Sequence, residues 1–159
     1  MGKKYKIVAT GGTFDVLHSG HYKLLEKSFE IGEYIIIGLT SDNFASRSGK
    51  TLVNNYFKRR HKLRNFIDEM FGEQNYRISR LENFYGPTVI SNDVQAIVTS
   101  AETMSNAVKI NEIRVRNGFP EMKIISVTMV RAQDGKILSS KRIRSGEVDK
   151  FGSVCKAKP

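Results

Sequence analysis

The sequence has 159 residues, enough for one domain with a continuous hydrophobic core. Apolar residues make up 40% and charged residues 26%, which excludes a disordered or fibrous chain. The formal net charge of +10 favours anionic partners without choosing among nucleic acid, anionic lipid and phosphorylated metabolites.

Tyr5 to Thr10 reads as a first strand, ended by Gly11-Gly12. The apolar stretch after Lys3, Lys4 and Lys6 is only strand length, so no secretory signal is expected there. Ser19 is the expected N-cap of a helix running to Ile31, with Tyr22, Leu25 and Phe29 at spacings of three and four and Gly32 as its stop. Tyr34 to Leu39 is a second strand, apolar throughout as a strand covered on both faces should be. It contains the longest apolar run, far below the roughly 18 residues of a membrane span. Ser46 to Asn55 is polar and without period, and reads as a mobile loop.

A helix over Tyr56 to Phe71 is expected to bury Leu63, Phe66, Ile67 and Met70. Arg59 lies one turn before Leu63 on the same face and so points inward, while its basic neighbours face water. Tyr76 to Leu81 and Gln95 to Thr99 are further strands. Ser100 is the expected cap of a helix from Ala101 to about Asn117, closed by Gly118 and Pro120. Met122 to Val127 is the fifth strand, Asp134-Gly135 a tight turn, and a last helix follows Ser139 or Ser140. Residues 152–159 read as a loose tail, with Cys155 an ordinary thiol. The alternation predicts one α/β domain over residues 1–159, Rossmann-like, with a five-stranded parallel sheet and helices on both faces. A cytoplasmic location is expected, and the oligomeric state stays open.

Two segments carry candidate chemistry. Gly11-Gly12-Thr13-Phe14-Asp15-Val16-Leu17-His18-Ser19-Gly20-His21 joins the first strand to the first helix, where open α/β sheets bind ligands. The glycines let backbone N–H groups approach an anion, and the helix start adds donors. His18 and His21 project to one side of the first turn, with Gly20 leaving room for a phosphate. A metal pair is the rival reading but lacks a third ligand, and two hydrogen-bonded turn histidines are the plain alternative. Neither the Walker ending nor a three-glycine dinucleotide fingerprint is present. The second segment, Leu138 to Glu147, opens a helix with Ser139 and Ser140 and follows with Lys141, Arg142 and Arg144. This suits a polyphosphate tail; an amphipathic surface helix is the alternative.

The two segments together resemble the His-x-Gly-His nucleotidyltransferase superfamily: Gly-Gly-Thr-Phe-Asp leading into His18-Ser19-Gly20-His21, with Ser-Ser-x-x-Ile-Arg near the C-terminus. Gly38-Leu39-Thr40-Ser41-Asp42, Tyr85-Gly86-Pro87-Thr88, Glu102-Thr103, Asn111-Glu112-Ile113-Arg114 and Ile143 to Asp149 extend the likeness. Within the superfamily the chain resembles the archaeal and eukaryotic type of phosphopantetheine adenylyltransferase.

The resemblance implies adenylyl transfer from ATP to 4′-phosphopantetheine in coenzyme A biosynthesis, with no nucleic-acid or membrane partner. It implies that His21 stabilises charge on the transferring α-phosphate and that His18 assists. Gly12, Thr13 and Phe14 would line the reacting centre, and Ser100 and Glu102 would border the adenosine. Ser139, Ser140 and Arg144 would hold the β- and γ-phosphates. Thr13, Lys50 and Arg59 would meet the acceptor. Mg²⁺ is implied through the ATP phosphates, with no protein metal cage. Lys141 departs from the pattern, standing where the family usually has threonine and so replacing a hydroxyl by a cation. Flavin-adenylating and glycerol-3-phosphate cytidylyltransferases are the neighbouring alternatives, and a basic nucleic-acid-binding module the distant one.

Overall fold

The computed structural model describes residues 2–86, 88 and 91–155. Its elements run β1 (Tyr5–Gly12), α1 (Ser19–Ile31), β2 (Gly32–Thr40), α2 (Asp42–Arg47), α3 (Tyr56–Phe71), β3 (Tyr76–Leu81), β4 (Ala96–Ser100), α4 (Met104–Arg116), β5 (Lys123–Val127) and α5 (Ser140–Arg144). Every strand pair is parallel, in the order β3-β2-β1-β4-β5. The chain starts at the centre, steps outward to β3, then crosses back to β4. The point where this winding reverses lies between β1 and β4, the place where such sheets bind ligands.

Alternation along the strands decides the layering. Val8, Ile35, Ile37, Leu39, Ala96 and Val98 pack with Leu25 and Phe29 of α1 and Leu63 and Ile67 of α3. Their neighbours Ala9, Ile36 and Ile97 turn to the other face, against Ala107 and Ile110 of α4. With both faces covered, β2 has no side that could be polar, hence its unbroken apolar run. A third small cluster of Ala132, Leu138 and Val148, with Val130 and Ile143 against it, folds the chain after β5.

The strands fall where expected to within two residues, with β1 extending through Gly12 and β2 from Gly32 to Thr40. The helix boundaries differ more. Asp42–Arg47 forms α2, capped by the Ser41 hydroxyl, which accepts the Phe44 N–H. So short a helix has too few residues for periodicity to register, and it removes residues 46 and 47 from the expected loop. Ser19 is the first residue of α1 and His18 is its cap. Helix α4 begins at Met104 without a side-chain cap, and the Ser100 hydroxyl instead meets Thr103 Oγ1 at 3.2 Å. Met70 is 48% exposed and stays outside the core. The expected loose tail is tied down in part: Val154 bridges to Val148, and Gly152 O accepts the Gln133 N–H at 2.7 Å. Pro87, from one matched segment, and Lys156 to Pro159 of that tail lie outside the described residues. Among the described residues no helix is long and apolar enough to cross a membrane.

Asn111 and Arg114, singled out in the sequence, prove to hold the back of the sheet. Asn111 exchanges two hydrogen bonds with the Met122 backbone, at 2.9 and 2.8 Å. Arg114 is fully buried, and its guanidinium donates to the carbonyls of Thr88, Ser91, Val94 and Pro120. The fork holds the segment entering β4 by its backbone carbonyls, next to the buried side chain of Val94. Replacing it by a shorter apolar side chain removes the donors and strands several carbonyls together. Arg114→Leu is therefore expected to lower the unfolding free energy by at least about 3 kcal/mol in urea titrations; wild-type stability would show that solvent satisfies those carbonyls.

Candidate active site

The carboxyl ends of β1, β4 and β5 open into a cavity of about 710 Å³. Its wall combines the two segments singled out in the sequence with the loop carrying Lys50 and the chain at Val127 to Val130. Gly12, Thr13, Phe14, His18, His21, Lys50, Ser100, Glu102, Ser139, Ser140 and Arg144 all border it.

The histidines are built into the start of α1. His18 has extended backbone, φ −150°, and its Nδ1 accepts the Gly20 N–H at 3.0 Å. His21 Nδ1 in turn accepts the His18 N–H at 3.2 Å, so the two rings form a reciprocal capping box. Their centroids lie 3.9 Å apart. Gly20 makes room for this arrangement: a Cβ there would stand 2.8 Å from His18 Cε1. Gly20 also borders the cavity. Because each Nδ1 accepts a backbone N–H, each neutral ring carries its proton on Nε2.

Burial keeps these rings neutral. It pushes His18 down to about 4. Burial also holds His21 well below its ordinary value, with His18 and Lys50 adding to the effect. At neutral pH the pair offers two Nε2–H donors and no formal charge, and both lie in a wall where an anion can reach them.

Phe14 borders the cavity mostly from within the core. Its side chain is 1% exposed and belongs to the core, its φ of 49° is left-handed, and its ring lies 5.1 Å from that of His21. The ring, packed in the core, lies against the histidine. Lys50 reaches across the cavity, and its Nζ donates to Thr13 Oγ1 at 3.1 Å.

Arg59 corrects the acceptor assignment. It is fully buried and its fork is used up: Nε donates to Asn54 O at 3.1 Å, Nη1 to Thr13 O at 2.8 Å, and Nη2 pairs with Asp42 at 2.8 Å. The inward direction read from the helix face is right, but the partners are two backbone carbonyls and the Asp42 carboxylate, and Arg59 does not border the cavity. Arg142 also leaves the expected phosphate group, since it pairs with Asp134 and Glu147. At the serines, Ser139 Oγ caps α5 by accepting the Arg142 N–H, and Ser140 Oγ donates to Val16 O at 2.9 Å. Lys141 is exposed on the cavity wall.

Two parts of the wall were not assigned from sequence. Asp15 was read only as part of a motif; a carboxylate set among Phe14, Val16 and Leu17 is the signal that it is buried and paired. The chain at Val127 to Val130 carries no side-chain signal, and only its place after a strand end points to it.

A cytidylyltransferase-like family profile matches residues 9–146. The phosphopantetheine adenylyltransferase of Methanothermobacter thermautotrophicus is 42% identical over 156 residues, covering 98% of this chain and 93% of that protein. That of Methanosarcina acetivorans is 44% identical over 150 residues, covering 92% and 94%. A crystal structure of an Archaeoglobus fulgidus protein of unknown function superposes with a TM-score of 0.70 at 34% identity, over 76% of this chain and 87% of that one. With a match of this extent, and with both phosphate segments meeting in one cavity, the chain belongs to the cytidylyltransferase-like family and, within it, to the phosphopantetheine adenylyltransferases.

Proposed function

We propose that this chain transfers the adenylyl group of ATP to 4′-phosphopantetheine, giving dephospho-coenzyme A and pyrophosphate. One observation carries the reading at the level of the site: the nucleotide segments from opposite ends of the chain border a single cavity, and Lys50 closes over the Thr13 end of it.

An oxygen of the acceptor's phosphate attacks the α-phosphorus of ATP. The new O–P bond forms as the bond to the β-phosphate oxygen breaks, and pyrophosphate departs. A phosphate monoester is already largely ionised at neutral pH, so no general base is required. Rate enhancement then rests on alignment and on donors aimed at the developing charge. The Nε2–H groups of His18 and His21 supply two such donors, with the backbone at Gly12, Thr13 and Phe14 beside them. Lys50, placed by Thr13, holds the acceptor phosphate against the reacting centre. Arg144, with Ser139 and Ser140, grips the leaving polyphosphate, and Lys141 adds a cation there in place of a hydroxyl. Ser100 and Glu102 border the adenosine.

Mg²⁺ would enter on the ATP phosphates. Asp15, the buried cavity carboxylate, is taken up by backbone and arginine donors, and Glu102 is exposed at the mouth, a donor set that suits an ion held mainly by phosphate and water. When bound it would neutralise charge on the polyphosphate.

A panel of nucleoside triphosphates and phosphorylated acceptors, followed by pyrophosphate release, tests the reaction. ATP with 4′-phosphopantetheine is expected to be fastest; faster turnover with CTP and glycerol 3-phosphate, or with flavin mononucleotide, would overturn the reading.

Steady-state kinetics separate the two cavity ends. His21→Ala is expected to lower kcat by about 10²–10³-fold with little change in nucleotide affinity. Lys50→Ala should lower kcat and raise the acceptor KM together while the ATP KM stays near wild type. The reverse pattern, with Lys50→Ala acting on ATP alone, would place Lys50 at the nucleotide.

The buried imidazoles also make stability depend on pH. His18 titrates near 4 when folded, against an ordinary value of 6.5, so between these values the unfolded chain binds more protons. Stability is then fully present above about pH 6.5 and is lost as the pH falls toward 4. His18→Asn retains an acceptor for the Gly20 N–H and removes the titration, so its melting temperature should fall less steeply over that window. Parallel profiles for the two proteins would show that His18 titrates alike in the folded and unfolded chain.

A further inference from the structure

Asp15 has no part in the chemistry above, yet it is the carboxylate most deeply set in the cavity wall, at 3% exposed. Its two oxygens are divided between distant parts of the chain. Oδ1 accepts the Asn54 N–H at 2.9 Å and Asn54 Nδ2 at 3.3 Å. Oδ2 accepts the Val53 N–H at 2.9 Å and Arg144 Nη1 at 3.0 Å. Asn54 Nδ2 also returns a bond to the Asp15 carbonyl at 3.1 Å. One buried carboxylate thus fastens the arginine of the polyphosphate end and the backbone that leads from Lys50. Among the described residues the Arg144 side chain makes no other hydrogen bond, which leaves the rest of its fork for phosphate oxygens.

Resting on the adenylyl-transfer reading, we propose that Asp15 is a positioning residue shared by both substrates. It aims Arg144 at the nucleotide and pins the Val53-Asn54 backbone behind Lys50, so that filling the nucleotide end tightens binding at the acceptor end. The coupling passes through a single atom. Oδ2 serves the Val53 N–H and the guanidinium at once, so a polyphosphate that draws the guanidinium toward itself changes what Oδ2 offers to Val53. The Lys50 side chain sits three residues before that contact, already extended to Thr13. A ligand at one end therefore acts on the other without a change of fold, and the effect is reciprocal. An amide at position 15 has one acceptor oxygen and presents N–H groups to donors, so it cannot satisfy both partners.

The test is calorimetric binding of 4′-phosphopantetheine with and without the non-transferable α,β-methylene-ATP. Wild-type protein is expected to bind the acceptor at least about fivefold more tightly with nucleotide present. In Asp15→Asn the factor should fall to within about twofold of one while the protein still melts cooperatively. Arg144→Gln changes a residue outside the core, so it folds where Asp15→Asn fails to, and it should abolish the coupling in the same way. Either folded variant retaining the wild-type factor, or wild type showing none, overturns the role of Asp15. Wild-type turnover in the pyrophosphate assay separates the two ideas: turnover with coupling untouched by the variants overturns this inference alone, and absence of turnover overturns both.

Discussion

The buried guanidinium of Arg59 governs how the polar edge of this sheet is held in place. Loops at the carboxyl ends of parallel strands carry the ligand-binding groups, so they cannot be fixed by filling them with leucine. Arg59 rises from α3 into the space beneath them and donates to the connection after β1, to Asp42 at the start of α2, and to the turn that opens α3. Removing such a charge from water costs several kcal/mol, and only a fully matched set of acceptors offsets it. The arrangement is all or nothing: one missing partner leaves a buried charge exposed to its own desolvation cost. Three loops thereby share one geometry, and the cavity inherits it.

Much of this was legible in the sequence because it depends on spacing. The strand positions follow from short apolar runs, and the parallel order follows from helices alternating with them. The two-sided burial of β2 was visible in Tyr34 to Leu39. The nucleotide segments were legible as local patterns of glycine, histidine and serine, and they converge on one cavity. What stayed hidden depends on contacts between distant residues. Arg59 could be seen to point inward, but its partners Thr13, Asn54 and Asp42 are set by three separate connections. Gly20 was legible as room beside the histidines, but not that the ring two residues before it needs that room as well. Ser19 has the composition of a cap, but a histidine with two hydrogen-bonding neighbours took the position. In each case the residue type was informative and the partner was not.

Charge is distributed unevenly between surface and site. The sequence carries a formal +10, and several of its lysines and arginines on α3 are exposed. That field raises the local concentration of anions at long range and says little about which anion stays. Inside the cavity the His18 and His21 rings are neutral at working pH, because burial disfavours the second proton that would charge them. A neutral N–H donor carries no counter-ion to displace, and its fixed direction orients an anion more than it attracts one. Attraction and orientation are thus assigned to different groups.

The bond from Ser140 to Val16 spans 124 residues, and the pair of Arg144 with Asp15 spans 129. A ribosome making this chain therefore completes all five strands before it makes the helix that finishes the cavity. The nascent sheet can collapse from its own neighbouring strands, yet its ligand edge stays open until the last stretch of synthesis. Contacts of this separation are the slow ones in folding. The order of synthesis keeps the molecule without a nucleotide grip for as long as its core is still being assembled.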